Sequence, residues 1–167
     1  MGYRLISLAV ISFTLFTGGS AELECPRQPK VRDALAAAAA VFSGEVMGEE
    51  YRDVRTDSSG RPAEAKAQVV KLKAEKWWKG SGAREIFLYT SARKYPDGST
   101  SLSADDFTFR KGESYLVYAS GPEAELRTSG CTRTIKLDEA GDDLRELGEG
   151  RDPDERPMRY VEPNKDK

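Results

Sequence analysis

Cys25 and Cys131 are the most reactive side chains in this sequence of 167 residues, and 106 positions separate them. So wide a gap rules out a CxxC redox pair, and two thiols alone do not make the four-ligand zinc sites that cysteine usually builds. In an oxidising compartment they join as one disulfide, tying the amino-terminal region to a late segment. The closed loop then holds about a hundred residues, for which chain entropy gives on the order of 4 to 5 kcal/mol of stabilisation. Two free thiols are the alternative. Histidine is absent, which removes Ser–His and Cys–His nucleophilic pairs, the usual general base, and the common zinc and copper sites.

The remaining candidates are carboxylates and aromatic rings. Acids fall in adjacent pairs at Glu49-Glu50, Asp105-Asp106, Asp138-Glu139 and Asp142-Asp143. Glycoside hydrolysis needs two carboxyl groups flanking one bond, and calcium needs six to eight oxygens. In a chain that is 32% charged, adjacent acids arise by chance, so no catalytic, metal or cofactor site is assigned and no enzymatic role is expected. Trp77, Trp78 and Tyr118 are the candidates for an aromatic binding surface, the tryptophans being able to stack a sugar or a peptide. Adjacent strand residues face opposite sides, so the plainer expectation is one tryptophan in the core and one partly covered. Tyr115 and Tyr118 likewise sit on opposite faces of their strand, where sheet packing accounts for both.

Positioning falls to a single exported domain. Residues 1–21 carry a positive start at Arg4, an apolar run over residues 5–16, and the small residues Gly18, Gly19, Ser20 and Ala21. That is the pattern of a signal peptide, with cleavage expected after Ala21. A dozen apolar residues fall short of the roughly 20 that a membrane helix needs, so the mature form is expected in the periplasm or outside the cell, free of the membrane. Glu24 before Cys25 argues against lipidation. Loss of Arg4 with the signal leaves 25 basic against 28 acidic residues. With no basic excess to neutralise phosphates, nucleic acid is not an expected partner.

The rest reads as one domain over residues 22–148, followed by a tail. Residues 31–40, VRDALAAAAA, are good helix formers. Residues 41–54 read as a strand in which Gly44 and Gly48 mark bulges, and residues 56–64 as a loop. Residues 67–76 alternate, with Val70, Leu72 and Ala74 on one face and Lys71, Lys73 and Glu75 on the other, which predicts a half-buried strand. A strand follows at 85–92, then a long loop at 93–106 around Pro96-Asp97-Gly98. Strands are expected at 107–109 and 114–119 about a turn at 110–113, and a last strand at 125–137. A helix is predicted over 138–147, capped by Asp138 and stopped by Gly148. Residues 149–167, charged and proline-containing, are expected to be a disordered tail. Five strands with a glycine-broken first strand and a closing helix predict an all-β, closed or nearly closed barrel.

The ordered set Val41-Phe42-Ser43-Gly44-Glu45-Val46, Trp78-Lys79-Gly80, Lys111-Gly112-Glu113-Ser114-Tyr115-Leu116-Val117-Tyr118-Ala119 and Thr128-Ser129-Gly130-Cys131-Thr132-Arg133-Thr134 resembles the netrin-type domain of the tissue inhibitors of metalloproteinases and its secreted relatives. The resemblance covers about residues 25–148. It implies a five-stranded OB-fold-like Greek-key barrel with a short amino-terminal helix and a carboxy-terminal helix. In those inhibitors the domain opens with Cys-x-Cys, whose first residue grips the target's catalytic zinc with its amine and carbonyl oxygen.

Here the matching stretch is Leu23-Glu24-Cys25. If Cys25 pairs with Cys131 as the second family cysteine does, Leu23 stands where the zinc-gripping cysteine would be. The loop cysteine that locks that residue is also missing from 99–107. Cleavage after Ala21 leaves Glu22 one residue too far out, and ordering the unlocked segment would cost about 1 to 2 kcal/mol per residue. The leading expectation is therefore a secreted, non-enzymatic interaction domain with a protein partner. Metalloendopeptidase inhibition through the edge Glu22, Leu23, Glu24 and Cys25 comes second, and a carbohydrate or cell-wall binding module third.

Overall fold

The computed structural model describes residues 28–53 and 65–154. Helix α1 (Val31–Ala37) leads into β1 (Ala40–Asp53), β2 (Lys66–Lys79), β3 (Glu85–Lys94), β4 (Thr100–Ser101), β5 (Ser114–Ala119), β6 (Leu126–Arg127), β7 (Ile135–Lys136) and α2 (Gly141–Leu147). The strands form a mostly antiparallel, strongly curled half-barrel in the order β4-β3-β2-β1-β5-β7, with β6 beside β3. None of the described helices is long and apolar enough to cross a membrane.

The curl originates in β1, whose register against β2 slips at Val41/Phe42, Ser43/Gly44 and Val46/Gly48. Each slip bends the strand and increases its twist. Gly44 is required by close approach, since a Cβ there would stand 2.8 Å from the Lys73 carbonyl oxygen. Inside the curl Phe42, Leu72, Ile86, Leu88, Tyr115 and Val117 form the main core. Outside it, α1 and α2 cover Val41, Leu116 and Tyr118 in a second layer. The sheet centre is thus buried on both faces, and Val70, Leu72 and Ala74 of β2 point inward as their alternation predicts.

Several expectations need correction. Seven strands are present among the described residues, not five. The loop expected over 93–106 is instead a hairpin in which β4 pairs with the end of β3. Residues 107–109 form no strand, because both edges of β5 are already taken by β1 and β7. Phe107 and Phe109 supply rings instead, edge-on to Tyr115 at 5.6 and 5.0 Å. The strand expected over 125–137 is split into β6 and β7 by side chains that bond to the intervening backbone. Ala140, not Asp138, stands at the amino-terminal cap of α2, and Asp138 lies in a preceding 3-10 turn. Residues 149–154, expected to begin a solvated tail, run beside β2, where Arg151 bridges to Trp77. The expected signal segment, the 56–64 loop and residues 155–167 lie outside the described residues.

Candidate functional site

Cys131 lies in the loop between β6 and β7, and short polar side chains set the shape of that loop. The hydroxyls of Thr128, Thr132 and Thr134 lie 2.7 to 3.0 Å from one another. Thr128 also donates to the Tyr118 carbonyl at 3.1 Å, and the Tyr118 N–H donates to Thr134 Oγ1 at 3.0 Å. Threonine favours such local bonds, which compete with the strand ladder. The result is a compact loop fastened to β5. The Cys131 N–H donates to Ser129 Oγ at 3.3 Å, and no free cysteine occurs among the described residues.

Two residues further on, Arg133 joins three parts of the chain. Its Nε donates to Asp143 Oδ2 at 2.9 Å, a second guanidinium nitrogen engages Asp143 Oδ1, and Nη1 donates to the Pro29 carbonyl at 2.8 Å. Tyr118 donates its hydroxyl to Asp143 Oδ2 at 2.9 Å. Asp143 is 6% exposed, so this is a desolvated, forked ion pair of the stronger kind. Burial, and then the hydrogen bond to Asp143, pushes the Tyr118 phenol well above its usual range. The bond to Asp143 likewise raises Arg133. Lys79 Nζ donates to the Leu35 and Ala36 carbonyls at 3.0 and 2.8 Å, where a cation suits the last turn of a helix. The chain entering from the amino terminus is therefore held at both ends of α1.

The other side of the Cys131 loop meets the connection after β4. Gly130 donates its N–H to the Asp105 carbonyl at 2.6 Å. Asp105 accepts from the Ser103 hydroxyl, and Asp106 accepts the Ser91 N–H at 3.3 Å. Leu102 on this loop is 73% exposed and Tyr95 on the neighbouring hairpin 41%. The Cys131 loop thus touches Pro29 through Arg133 and the 102–106 segment through Gly130, and Leu102 stands exposed on that segment.

The sequence candidates distribute unevenly over this arrangement. Glu22, Leu23, Glu24 and Cys25 lie outside the described residues. Trp77 is 1% exposed, packs against Phe42 with tilted rings 5.0 Å apart and donates its indole N–H to the Ala83 carbonyl at 3.0 Å. Tyr118 is 3% exposed. Neither offers a face to a ligand, because each fills a layer of the core. Trp78 packs partly buried in the outer layer, and its indole N–H donates to the Gly148 carbonyl at 2.9 Å. Trp77, Trp78 and Tyr118 therefore do not form a shared aromatic surface. Asp142 and Asp143 diverge, Asp142 pairing with Arg145 at 2.8 Å. Among the described residues no three or more acids or cysteines gather as metal ligands.

Sequence reasoning missed the Arg133–Asp143–Tyr118 cluster. Its sequence signal is weak, since the three residues span 25 positions and Asp143 reads as one of many acids. Compared with known proteins, the chain matches no family model and no curated sequence.

Proposed function

We propose that the chain is an exported, non-enzymatic protein-interaction module related to the netrin-type inhibitor domain. It is an OB-type Greek-key barrel stapled by Cys25–Cys131, with its amino-terminal segment held at one edge. The ring of strands is supported by the parallel pairing of β6 with β3 and by the Ser120–Arg127 bridge that returns β6 to β5. Together they would close the circuit β1-β2-β3-β6-β5, the strand order that such a barrel requires.

One observation carries the reading: the Arg133 bond to the Pro29 carbonyl at 2.8 Å. It fixes backbone four residues after Cys25 against a residue two positions after Cys131, so the proposed disulfide demands little further travel of the chain. Exposed Leu102 lies on the 102–106 segment that meets the same loop through Gly130 and Asp105. An exposed leucine on a loop bordered by polar side chains offers a protein partner an apolar anchor, whereas a small solute would need a concave pocket.

Metalloendopeptidase inhibition is the second reading. The observation that favours it is the direct junction of the Cys131 loop with residues 102–106 through Gly130 and Asp105, since inhibition of this kind needs a strand-connecting loop that can enter a cleft with the amino-terminal segment. A carbohydrate-binding role draws no support from the buried Trp77 and Tyr118.

Affinity capture with the exported protein tests the proposal when wild type is compared with Leu102→Asp and with a chain lacking residues 22–24. A bound protein that both changes release is the expected result. A partner indifferent to both changes would contradict the assignment of the edge. Parallel assays against zinc endopeptidases decide the second reading.

A further inference from the structure

Beyond Lys73, strand β2 has no β3 residue beside it: their last paired positions are Lys73 and Glu85, and the final bond runs from the Ala74 N–H to the Arg84 carbonyl at 2.8 Å. The edge of β2 that this exposes is taken by residues 149–154. Trp77 and Arg151 exchange both backbone bonds, at 2.9 and 2.8 Å, and the Asp154 N–H donates to the Gly82 carbonyl at 2.6 Å. Side chains add to this pairing. Arg151 donates to the Gly80 carbonyl, Lys76 pairs with Asp152 at 2.7 Å, and Trp78 donates to the Gly148 carbonyl. Gly150 lies flat on Trp78, so close that a Cβ would stand 3.0 to 3.1 Å from the indole ring and from Lys76 Cβ.

What the strap lacks is apolar burial. None of residues 149–154 is buried; Arg151 and Asp152 are exposed, and Pro153 and Asp154 only partly covered. Elements held by exposed hydrogen bonds and ion pairs, with few buried apolar contacts, open locally at small cost while the core stays folded. The link to α2 is Gly148-Glu149-Gly150, with Gly148 at φ 71°, a short connection with little side chain to restrain it.

We propose that residues 149–154 form a releasable strand, and that the β2 edge beneath them is a docking edge for an extended acidic peptide. The strap itself displays the pattern that the edge accepts: a glycine over Trp78, and a carboxylate two residues later on Lys76. Backbone bonds to Trp77 supply affinity, and the glycine and carboxylate positions supply selectivity, the usual division in strand addition. In the resting chain the strap keeps the edge closed.

Hydrogen exchange on the full exported chain, read by NMR, tests this directly. The Trp77 and Arg151 amides are expected to exchange at least about a hundredfold faster than those of Leu72 and Val117, as a locally opening unit does. Gly150→Val, which crowds Trp78 without touching the main core, is expected to speed Trp77 exchange about tenfold more while Leu72 holds its rate. The probe is the peptide GEGRDPD at about 1 mM, near the effective concentration that a short linker confers. It is expected to shift the Trp77 amide and Trp78 indole resonances of the Gly150→Val protein, whereas GEVRDPD is not. Trp77 exchanging in step with Leu72 would overturn the releasable strand. Resonances unmoved by GEGRDPD, or moved equally by GEVRDPD, would overturn the docking edge.

Discussion

Replacing Asp143 with alanine removes one carboxylate and leaves two groups without their partner. The Arg133 side chain is only 20% exposed and the Asp143 side chain 8%, and the Tyr118 hydroxyl loses its acceptor. Breaking a buried pair from one side typically costs about 3 to 5 kcal/mol, because the surviving charge stays desolvated. Tyr118→Phe should cost less, about 1.5 to 3 kcal/mol, the range for a hydrogen bond to a charged group, since Arg133 still neutralises Asp143. Asp142→Ala is the control: its side chain is 91% exposed, and exposed pairs contribute roughly 0 to 1 kcal/mol. Against a total stability of about 5 to 15 kcal/mol, loss of Asp143 is a large fraction. Urea unfolding at pH 7, followed by tryptophan fluorescence with the slope checked for constancy, measures all three. If Asp143→Ala falls within about 1 kcal/mol of Asp142→Ala, the cluster is not what fastens the Cys131 loop to α2, and the reasoning fails.

Other consequences follow from the same contacts. The raised Tyr118 phenol keeps its proton in the folded chain at pH values where an unfolded tyrosine, near pKa 10, loses it. Its contribution is therefore complete below about pH 10 and falls by about 1.4 kcal/mol per pH unit above it, a slope that Tyr118→Phe should reduce by one proton's worth in alkaline unfolding curves. Trp77→Ala, at a site 1% exposed, should cost about 3 to 5 kcal/mol in the same assay. Gly80→Ala should also destabilise, because φ is 112° and its Cβ would meet the Trp77 ring at 2.6 Å. Reducing the proposed disulfide should lower stability by roughly 2 to 5 kcal/mol, read as a fall in the urea midpoint on adding a reductant.

The sequence displayed the parts of this fold whose order is local. β5 occupies 114–119, as expected from its place after the tight turn at 110–113, and β2 follows its alternation. The glycines of β1 coincide with two of its register slips. Adjacent tryptophans face opposite layers, as strand geometry requires. What stayed hidden depends on partners far along the chain. Residues 149–154 carry charge and proline, which suggest a solvated end, yet their backbone fits the edge that β3 leaves free. The β6–β7 break is written in hydroxyls whose partners become visible only in three dimensions. Nothing in the sequence marks Lys79 as a partner of α1, whose last turn places two carbonyls beside it. The Cys131 motif marked the loop between β6 and β7, but Arg133, Asp143 and Asp105 join around it only through tertiary contacts.

The most direct test of the central claim is the intact mass of the exported protein, reduced and unreduced, together with sequencing of its amino terminus. A chain beginning at Glu22, two mass units lighter before reduction and yielding a Cys25–Cys131 cross-linked peptide, is what a stapled module with a tethered edge predicts. Two free thiols, or a chain that retains residues 1–21, would contradict it.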